Sequence, residues 1–466
     1  MSTKTDRLYL LKEEKVSPAL LKLGIPTMIG MLISALYNVI DGLFVGKLGL
    51  SQFGAVSVVF PLVQIVIGLG MMFGAGASSY ISRLLGKGEK EQADKTASTT
   101  VLMSLIVGAV VITLTMVFLN PILTISGATD TILPYAREYA RIYVIGSIIN
   151  VFTVTMNNLL VAQGASKFTM IAMLLGSIAN IALDPILIFV LNMGVSGAAI
   201  ATVISLCITM IFYIVYIIKK AGVLRFSVKN IKFSKKYFAE VLKIGIPVLV
   251  FQLLASVSMQ LINSAAKPYG DYAVSAMGAV IRIMTMVTYV VFGFLKGFQA
   301  FAGYNYGAKQ YDRLKKSIKL CLIWSTVFCV LAALILCIFS KPIIGMFVNS
   351  TELNSAEMID LGSKALILNA ILFITFGFQM VYASLYLAIG KSLIGSLLSL
   401  SRQGIFFIPL RFILPLILGL TGIIWIQPAA DILTTALTVI FAIMFHKKFL
   451  SQNKIIQVQD EVKNNE

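Results

Sequence analysis

Five residues supply most of the oxygen chemistry in the first half of this 466-residue chain: Asp41, Tyr139, Asn180, Asp184 and Thr202. Both aspartates interrupt long apolar runs. A carboxylate held in the middle of a bilayer costs on the order of 3 kcal/mol unless it is paired, wetted or protonated, so one that persists there usually has a use. In the stretch NIALDP, Asn180 and Asp184 are four residues apart and share one helix face. Ser34, Asn38 and Asp41 form a similar stripe earlier in the chain. Pro185 has no N–H for the carbonyl of Ile181, so a bend is expected there, with a backbone oxygen left free beside the carboxylate. An oxygen-lined cavity of this kind suits a proton carried on a carboxyl, or a hard cation such as sodium. The competing reading is an aspartate satisfied by Asn and Tyr alone.

The elements that position these residues follow from composition. With 58% hydrophobic and 12% charged residues and a mean hydropathy of +0.91, the chain lies outside the range of soluble domains. A membrane span needs about 20 mostly apolar residues. Twelve such runs are expected, at about 18–45, 54–82, 97–119, 132–160, 168–192, 195–218, 240–264, 274–303, 317–340, 361–388, 393–418 and 421–445. The fold class is therefore an all-α polytopic membrane protein, with two pseudo-symmetric six-helix lobes around a central cleft.

The net charge of +18 falls in alternate loops rather than in one patch, which argues against nucleic acid as a partner. Lys4, Arg7, Lys12 and Lys15 precede the first span; Arg83, Lys87, Lys90 and Lys95 follow the second; seven basic residues between Lys219 and Lys236 separate the sixth from the seventh. Under the positive-inside rule both termini and the central linker are expected in the cytoplasm, and the chain in the cytoplasmic membrane of a bacterium. The first apolar run is too long for a cleaved leader and reads as the first span. In this orientation Asp41, Tyr139, Asp184 and Thr202 come from four spans and fall at similar depth.

The chain also repeats. LKLGIPTMIG at Leu21 recurs as LKIGIPVLVF at Leu242; Gly24 and Gly245 are 221 residues apart (245 − 24), as are Pro26 and Pro247, and Gly86 and Gly307. A weaker echo sets AQGASK at Ala162 against LAIGKS at Leu387, and GVSGAAI at Gly194 against GLTGIIW at Gly419. The expected organisation is a cytoplasmic segment 1–17, an N-lobe 18–219, a basic linker 220–239, a C-lobe 240–446 and a cytoplasmic tail 447–466. Six spans per half make the repeats parallel, with a cleft at their pseudo-symmetry axis.

Pro26 frees the carbonyl of Lys22 and is a candidate hinge in the first span. Asn38, Asn157, Gln252, Gln260, Lys296 and Gln379 are candidates for lining the cleft, although an asparagine such as Asn157 or Asn158 serves equally as packing glue between helices. Arg402 and Asp431 fall at similar depth and are expected to form a structural ion pair. Lys296, in GFLKGFQ, has no obvious acidic partner; it either snorkels to the surface or meets an anionic group on a substrate. The four cysteines, Cys207, Cys321, Cys329 and Cys337, lack metal-ligand spacing and read as packing residues. No metal site is expected apart from sodium at the cation site. With His446 the single histidine and no nucleophile–base spacing, an enzyme is disfavoured.

Taken together, these residues resemble the prokaryotic branch of the multidrug and toxic compound extrusion (MATE) family over nearly the whole chain. The resemblance rests on GIP at Gly24, VIDGLFVGKLG at Val39, GAGASSYISRLLGKG at Gly74, QGASK at Gln163, NIALDPILI at Asn180, GVSGAAIATVIS at Gly194, AGYNYGAK at Ala302, SRQGIFFIPL at Ser401 and QPAAD at Gln427. It implies a secondary antiporter that exports amphipathic, often cationic, drugs or metabolites by alternating access, in exchange for H+ or Na+ and with no other cofactor. It also implies that Asp41, Asn180, Asp184 and Thr202, with Tyr139 nearby, form the cation site, that Pro26 takes part in bending the first span, and that apolar, Met and aromatic side chains line the substrate cavity. The expected partners are a small amphipathic substrate and membrane lipids, with the protein acting as a monomer. The sequence departs from members with acidic residues in spans seven and eight: Gln252, Gln260 and Lys296 stand there, against coupling through the C-lobe. The rival reading is a flippase for a lipid-linked or polysaccharide precursor, which would use a basic cleft.

Overall fold

In hydrocarbon every backbone N–H and C=O must be satisfied within the chain, and long apolar runs meet that demand as helices. The computed structural model describes residues 4–126, 128–219, 221–347 and 355–464, and no strand occurs among them. In chain order the α-helices are α1 Lys4–Lys12, α2 Val16–Gly46, α3 Leu50–Gly86, α4 Lys90–Val117, α5 Leu119–Ile125, α6 Leu133–Ala162, α7 Ser166–Pro185, α8 Gly194–Ile218, α9 Lys235–Ala266, α10 Asp271–Gly307, α11 Tyr311–Ile338, α12 Ser340–Gly345, α13 Ser355–Phe373, α14 Phe376–Ala388, α15 Ser392–Leu400, α16 Phe407–Leu418 and α17 Leu420–Asn464. Eleven spans among the described residues are long and apolar enough to cross a membrane; α13 and α14, bent by 50° at their junction, make a twelfth if taken as one. The expected span 361–388 is this broken pair, and the expected span 393–418 is α15 and α16 joined by a π-helical turn over Ser401–Ile405.

The repeat is written into the backbone. Gly49 and Gly270, 221 residues apart, both take positive φ at the turn after the first helix of each half. Gly88 and Lys309, again 221 apart, do the same one helix later, and the lysine accepts the strain (φ 59°).

The helices sort into two compact units. The first comprises Met1–Val257, Thr285–Ala308 and Ala388–Gly390, and so includes the parts of α9 and α10 that border the basic loops. In it α3 packs on α6, α2 on α7, and α4 and α8 on α6. The ends of α3 and α10 meet at a repeat-related pair: a Cβ added to Gly86 would collide with the carbonyl oxygen of Tyr304, and one added to Gly307 with that of Arg83. Residues 83 and 304 are themselves 221 apart, so the contact is two-fold in character. Beside it Arg83 Nη2 bonds Glu240 Oε2 at 2.8 Å.

Two further segments tie down the basic side of this unit. The linker lies along α4 and α6: Asp94 Oδ1 accepts from Arg225 N (2.8 Å), Gln163 Oε1 from Leu224 N (3.0 Å) and Thr99 Oγ1 from Lys232 N (3.1 Å). Helix α1 docks through buried Arg7, which donates to Tyr216 Oη and, at 2.6 Å, to Ala221 O. Asn305 Nδ2 of α10 reaches the carbonyl of Leu11 at 3.3 Å.

The second unit comprises Ser258–Met284, Lys309–Leu387 and Lys391–Glu466. Its interior is built from α11, α13, α16 and α17, with Ser258 Oγ bonded to Gln403 O (2.8 Å) and Arg411 Nε to Leu261 O (3.0 Å). The cysteines are free.

Candidate functional site

Asp184 is the penultimate residue of α7, and the chain answers Pro185 with a π-helical turn over Ile186–Val190, after which Leu191 N bonds Ile186 O at 2.9 Å. The widened turn takes up the register that the missing proline N–H disrupts. Met193 N then bonds Leu187 O at 3.1 Å, and α8 begins at Gly194. The NIALDP stretch thereby holds its carboxylate at a break in regular helix, among buried neighbours.

Asp184 is 0% and Asn180 1% exposed. The Asn180 Nδ2 to Asp184 Oδ1 contact is 3.4 Å, long for a hydrogen bond and therefore weak. Asp184 Oδ2, Asn180 Oδ1 and, on α2, Asp41 Oδ1 are buried with no hydrogen-bond partner. Asp41 and Asp184 interact electrostatically, and Tyr139 of α6, 4% exposed, lies in the field of both. Neither aspartate takes part in an ion pair among the described residues. Three helices thus bring two carboxylates, an amide and a phenol within electrostatic reach of one another, with acceptor oxygens to spare. Like charges held together in a low dielectric repel, and a cation between them removes the repulsion.

Tyr139 sits in an apolar setting: Val45, Val59, Ala140, Ile188, Val195 and Ala198 belong to the same buried cluster. Thr202 of α8 is half-buried, and its hydroxyl donates to Ala198 O of its own helix at 3.1 Å, which leaves the lone pairs of the hydroxyl oxygen available. Asn38 lies on α2, but its side chain is outside the described residues.

Three residues extend the group. Tyr37, four before Asp41, shares the field of Tyr139; Tyr143 stacks on Tyr139 at 6.3 Å between centroids and accepts from Asn150 Nδ2 at 2.9 Å. Tyr37 and Tyr143 both stand at helical spacing from residues that were singled out, and that spacing was the available signal.

The remaining candidates are dispersed. Pro26 is half-buried within α2, where the neighbouring Thr27 hydroxyl bonds Leu23 O (3.0 Å) and Gly24 O (2.9 Å). Asn157 is buried and directs its amide to Tyr213 Oη (3.2 Å) and Met173 Sδ (3.1 Å), holding α6 against α7 and α8. Gln252 is half-buried near Gly68 of α3, Gln260 is exposed, and Lys296 is half-buried on α10.

In the second unit Gln379 of α14 is held in the interior. It is buried and bonds Asp431 O (3.0 Å) and Thr435 Oγ1 (2.8 Å). There it supports an ion pair: Arg402 Nε to Asp431 Oδ1 is 2.8 Å and Arg402 Nη2 to Oδ2 3.3 Å, with Gln427 Nε2 on Oδ1 at 2.9 Å. The guanidinium also faces the Phe376 ring at 4.6 Å. Buried Arg402 and Asp431 neutralise one another, whereas Asp41 and Asp184 take part in no ion pair among the described residues. No group of three or more His, Cys, Asp or Glu suited to a metal ion occurs among the described residues.

An all-helical bundle of this kind, repeated and with charged side chains buried among its apolar helices, has the design of a membrane transporter. The MatE family model matches it twice, over residues 26–186 and 247–413, starting at Pro26 and at its repeat mate Pro247. The chain belongs to the MatE family, the multidrug and toxic compound extrusion transporters. It is 30% identical over 423 residues to the multidrug export protein MepA of Staphylococcus aureus (strain MSSA476), covering 91% of this chain and 92% of that one. To the MepA of Staphylococcus haemolyticus it is 28% identical over 425 residues, with the same coverage. A solved structure described as the outward-facing conformation of a multidrug resistance MATE family transporter of the MOP superfamily superposes with a TM-score of 0.90 at 26% identity. That match covers 95% of this chain and 98% of the other.

Proposed function

We propose that the protein is a secondary multidrug efflux antiporter of the bacterial cytoplasmic membrane, exchanging amphipathic, often cationic, drugs or metabolites for H+ or Na+ by alternating access. The observation that carries this reading is the electrostatic proximity of Asp41 and Asp184: two carboxylates from different helices act on one another, take part in no ion pair among the described residues and keep buried acceptor oxygens free. The names of the curated relatives, multidrug export proteins, support the direction of transport. The alternation of basic loops supports a cytoplasmic location for both termini.

In this cycle a substrate enters from the cytoplasm between the two repeat halves, residues 18–219 and 240–446. A cation arriving from outside then occupies the Asp41–Asp184 site, with Asn180 and Tyr139 supplying neutral polar groups, and favours substrate release. Thr202 joins that set through the lone pairs its hydroxyl oxygen keeps while it donates to Ala198 O. Pro26 serves as the flexing point of α2, the helix that carries Asp41. Coupling requires that the cation bind one state better than the other, since a ligand with equal affinity for both shifts nothing. The protein works as a monomer and needs no other cofactor.

The test is dye efflux from proteoliposomes, driven in separate experiments by a proton gradient and by a sodium gradient. Asp41→Asn and Asp184→Asn are each expected to abolish gradient-driven efflux at normal expression. Full activity in either variant removes that residue from the coupling site.

A further inference from the structure

Lys296 is a cation within a membrane span, and no ion pair or hydrogen bond engages it among the described residues. Its level is fixed by its neighbours. A Cβ on Gly297 would meet Gly24 N at 2.6 Å and one on Gly293 would meet Met28 N at 3.0 Å, so α10 is pressed onto α2 on both sides of the lysine. Lys22, half a turn from Gly24 on α2, is a lysine at nearly the same level that points outward: its side chain is 58% exposed and bonded to Glu14. Lys296 is half-buried instead. Of the carboxylates on this side, Glu240 is engaged by Arg83 and Glu14 by Lys22. Asp41 lies 17 residues beyond Gly24 (41 − 24) on α2, about 25 Å along the helix at 1.5 Å per residue, too far to pair.

We infer that Lys296 receives the anionic group of a substrate, so that the transported class includes amphipathic organic anions and zwitterions carrying a carboxylate or sulfonate. This inference rests on the export reading above and adds a substrate class to it. An intramembrane ammonium is expensive to keep without a counter-charge, and a bound anion supplies one through a charge-assisted hydrogen bond. The apolar part of the ligand has a surface to meet. Phe292, four residues before Lys296 and on the same helix face, stands edge-on to Phe251 of α9 with centroids 6.0 Å apart, and Tyr289 is a further turn along.

Binding of two flat fluorophores to purified protein in phosphatidylcholine nanodiscs tests this without any ion gradient, so failure of antiport and failure of this inference are read separately. The probes are 9-anthracenecarboxylate and ethidium. Lys296→Gln is expected to weaken the carboxylate by about tenfold and to tighten ethidium, while Lys296→Arg stays within about threefold of wild type for the carboxylate. Opposite signs for the two probes exclude a folding defect. The inference is overturned if wild type does not bind the carboxylate, if Lys296→Gln binds it as well as wild type, or if both probes weaken together. It is also overturned in favour of a lipid headgroup if added phosphatidylglycerol displaces the carboxylate from wild type.

Discussion

Asn180 offers its side-chain amide to one oxygen of Asp184 across 3.4 Å, while the second oxygen of that carboxylate stays buried and unbonded. A carboxylate held so loosely is ready to exchange partners, and the amide's part is to aim it rather than to neutralise it. Groups that orient a ligand to a cation typically change affinity by roughly tenfold or more when removed. Asn180→Ala is therefore expected to raise the concentration of coupling ion needed for half-maximal efflux by about tenfold, with the maximal rate less affected. An ion titration of dye efflux in proteoliposomes reads both quantities.

Pro185 sets the backbone beside that carboxylate. Its missing N–H is accommodated by the π-helical turn over Ile186–Val190, and such turns recur at functional positions because they shift a side chain's register at a small cost in helix regularity. Pro185→Ala restores an N–H for Ile181 O and lets the regular helix continue. The variant is expected to unfold at a higher temperature than wild type and to transport more slowly. Equal or faster ion-driven efflux together with a raised melting temperature would show that the break is not used.

The sequence revealed the helices well because a run of apolar side chains in a bilayer has one way to satisfy its backbone. The repeat was equally legible, since close contacts such as Gly86 on Tyr304 O and Gly307 on Arg83 O admit no other residue type without moving backbone. Buried side-chain bonds were harder to foresee. Nothing in the chain signals that Gln379 spends its amide on Asp431 O and Thr435, or Asn157 on Tyr213, because an amide suits a cleft and an interior equally well. The π turns at 186–190 and 401–405 were legible only as a bend at Pro185, or not at all, since helix widening depends on how neighbouring helices fill the gap.

The Arg402–Asp431 pair is buried, bidentate and further bonded by Gln427. Removing one member leaves an uncompensated charge in the interior, which typically costs 3–5 kcal/mol. Arg402→Gln or Asp431→Asn is expected to lower the thermal midpoint in detergent well below that of wild type. The double variant Arg402→Met/Asp431→Leu, which removes both charges and keeps bulk, recovers most of the loss. If the double variant is as unstable as either single one, the pair matters for its geometry rather than its charge balance.

The contact of α3 with α10 offers a comparison internal to the repeat. Gly86 and Gly307 each face the carbonyl of the residue related to the other's neighbour by the same 221-residue step, so an added methyl meets backbone oxygen in both cases and the helices must separate. Overpacking of this kind costs roughly 1–3 kcal/mol. Gly86→Ala and Gly307→Ala are therefore expected to act alike, each loosening the basic side of the first unit. Ser79, buried nearby and bonded to Ala388 O at 3.3 Å, provides the reporter: in a background with the four native cysteines replaced, Ser79→Cys should react with a water-soluble maleimide at least about fivefold faster when either glycine carries a methyl. A large effect from one glycine and none from the other would mean that the two-fold relation of the backbone does not extend to the energetics of the contact.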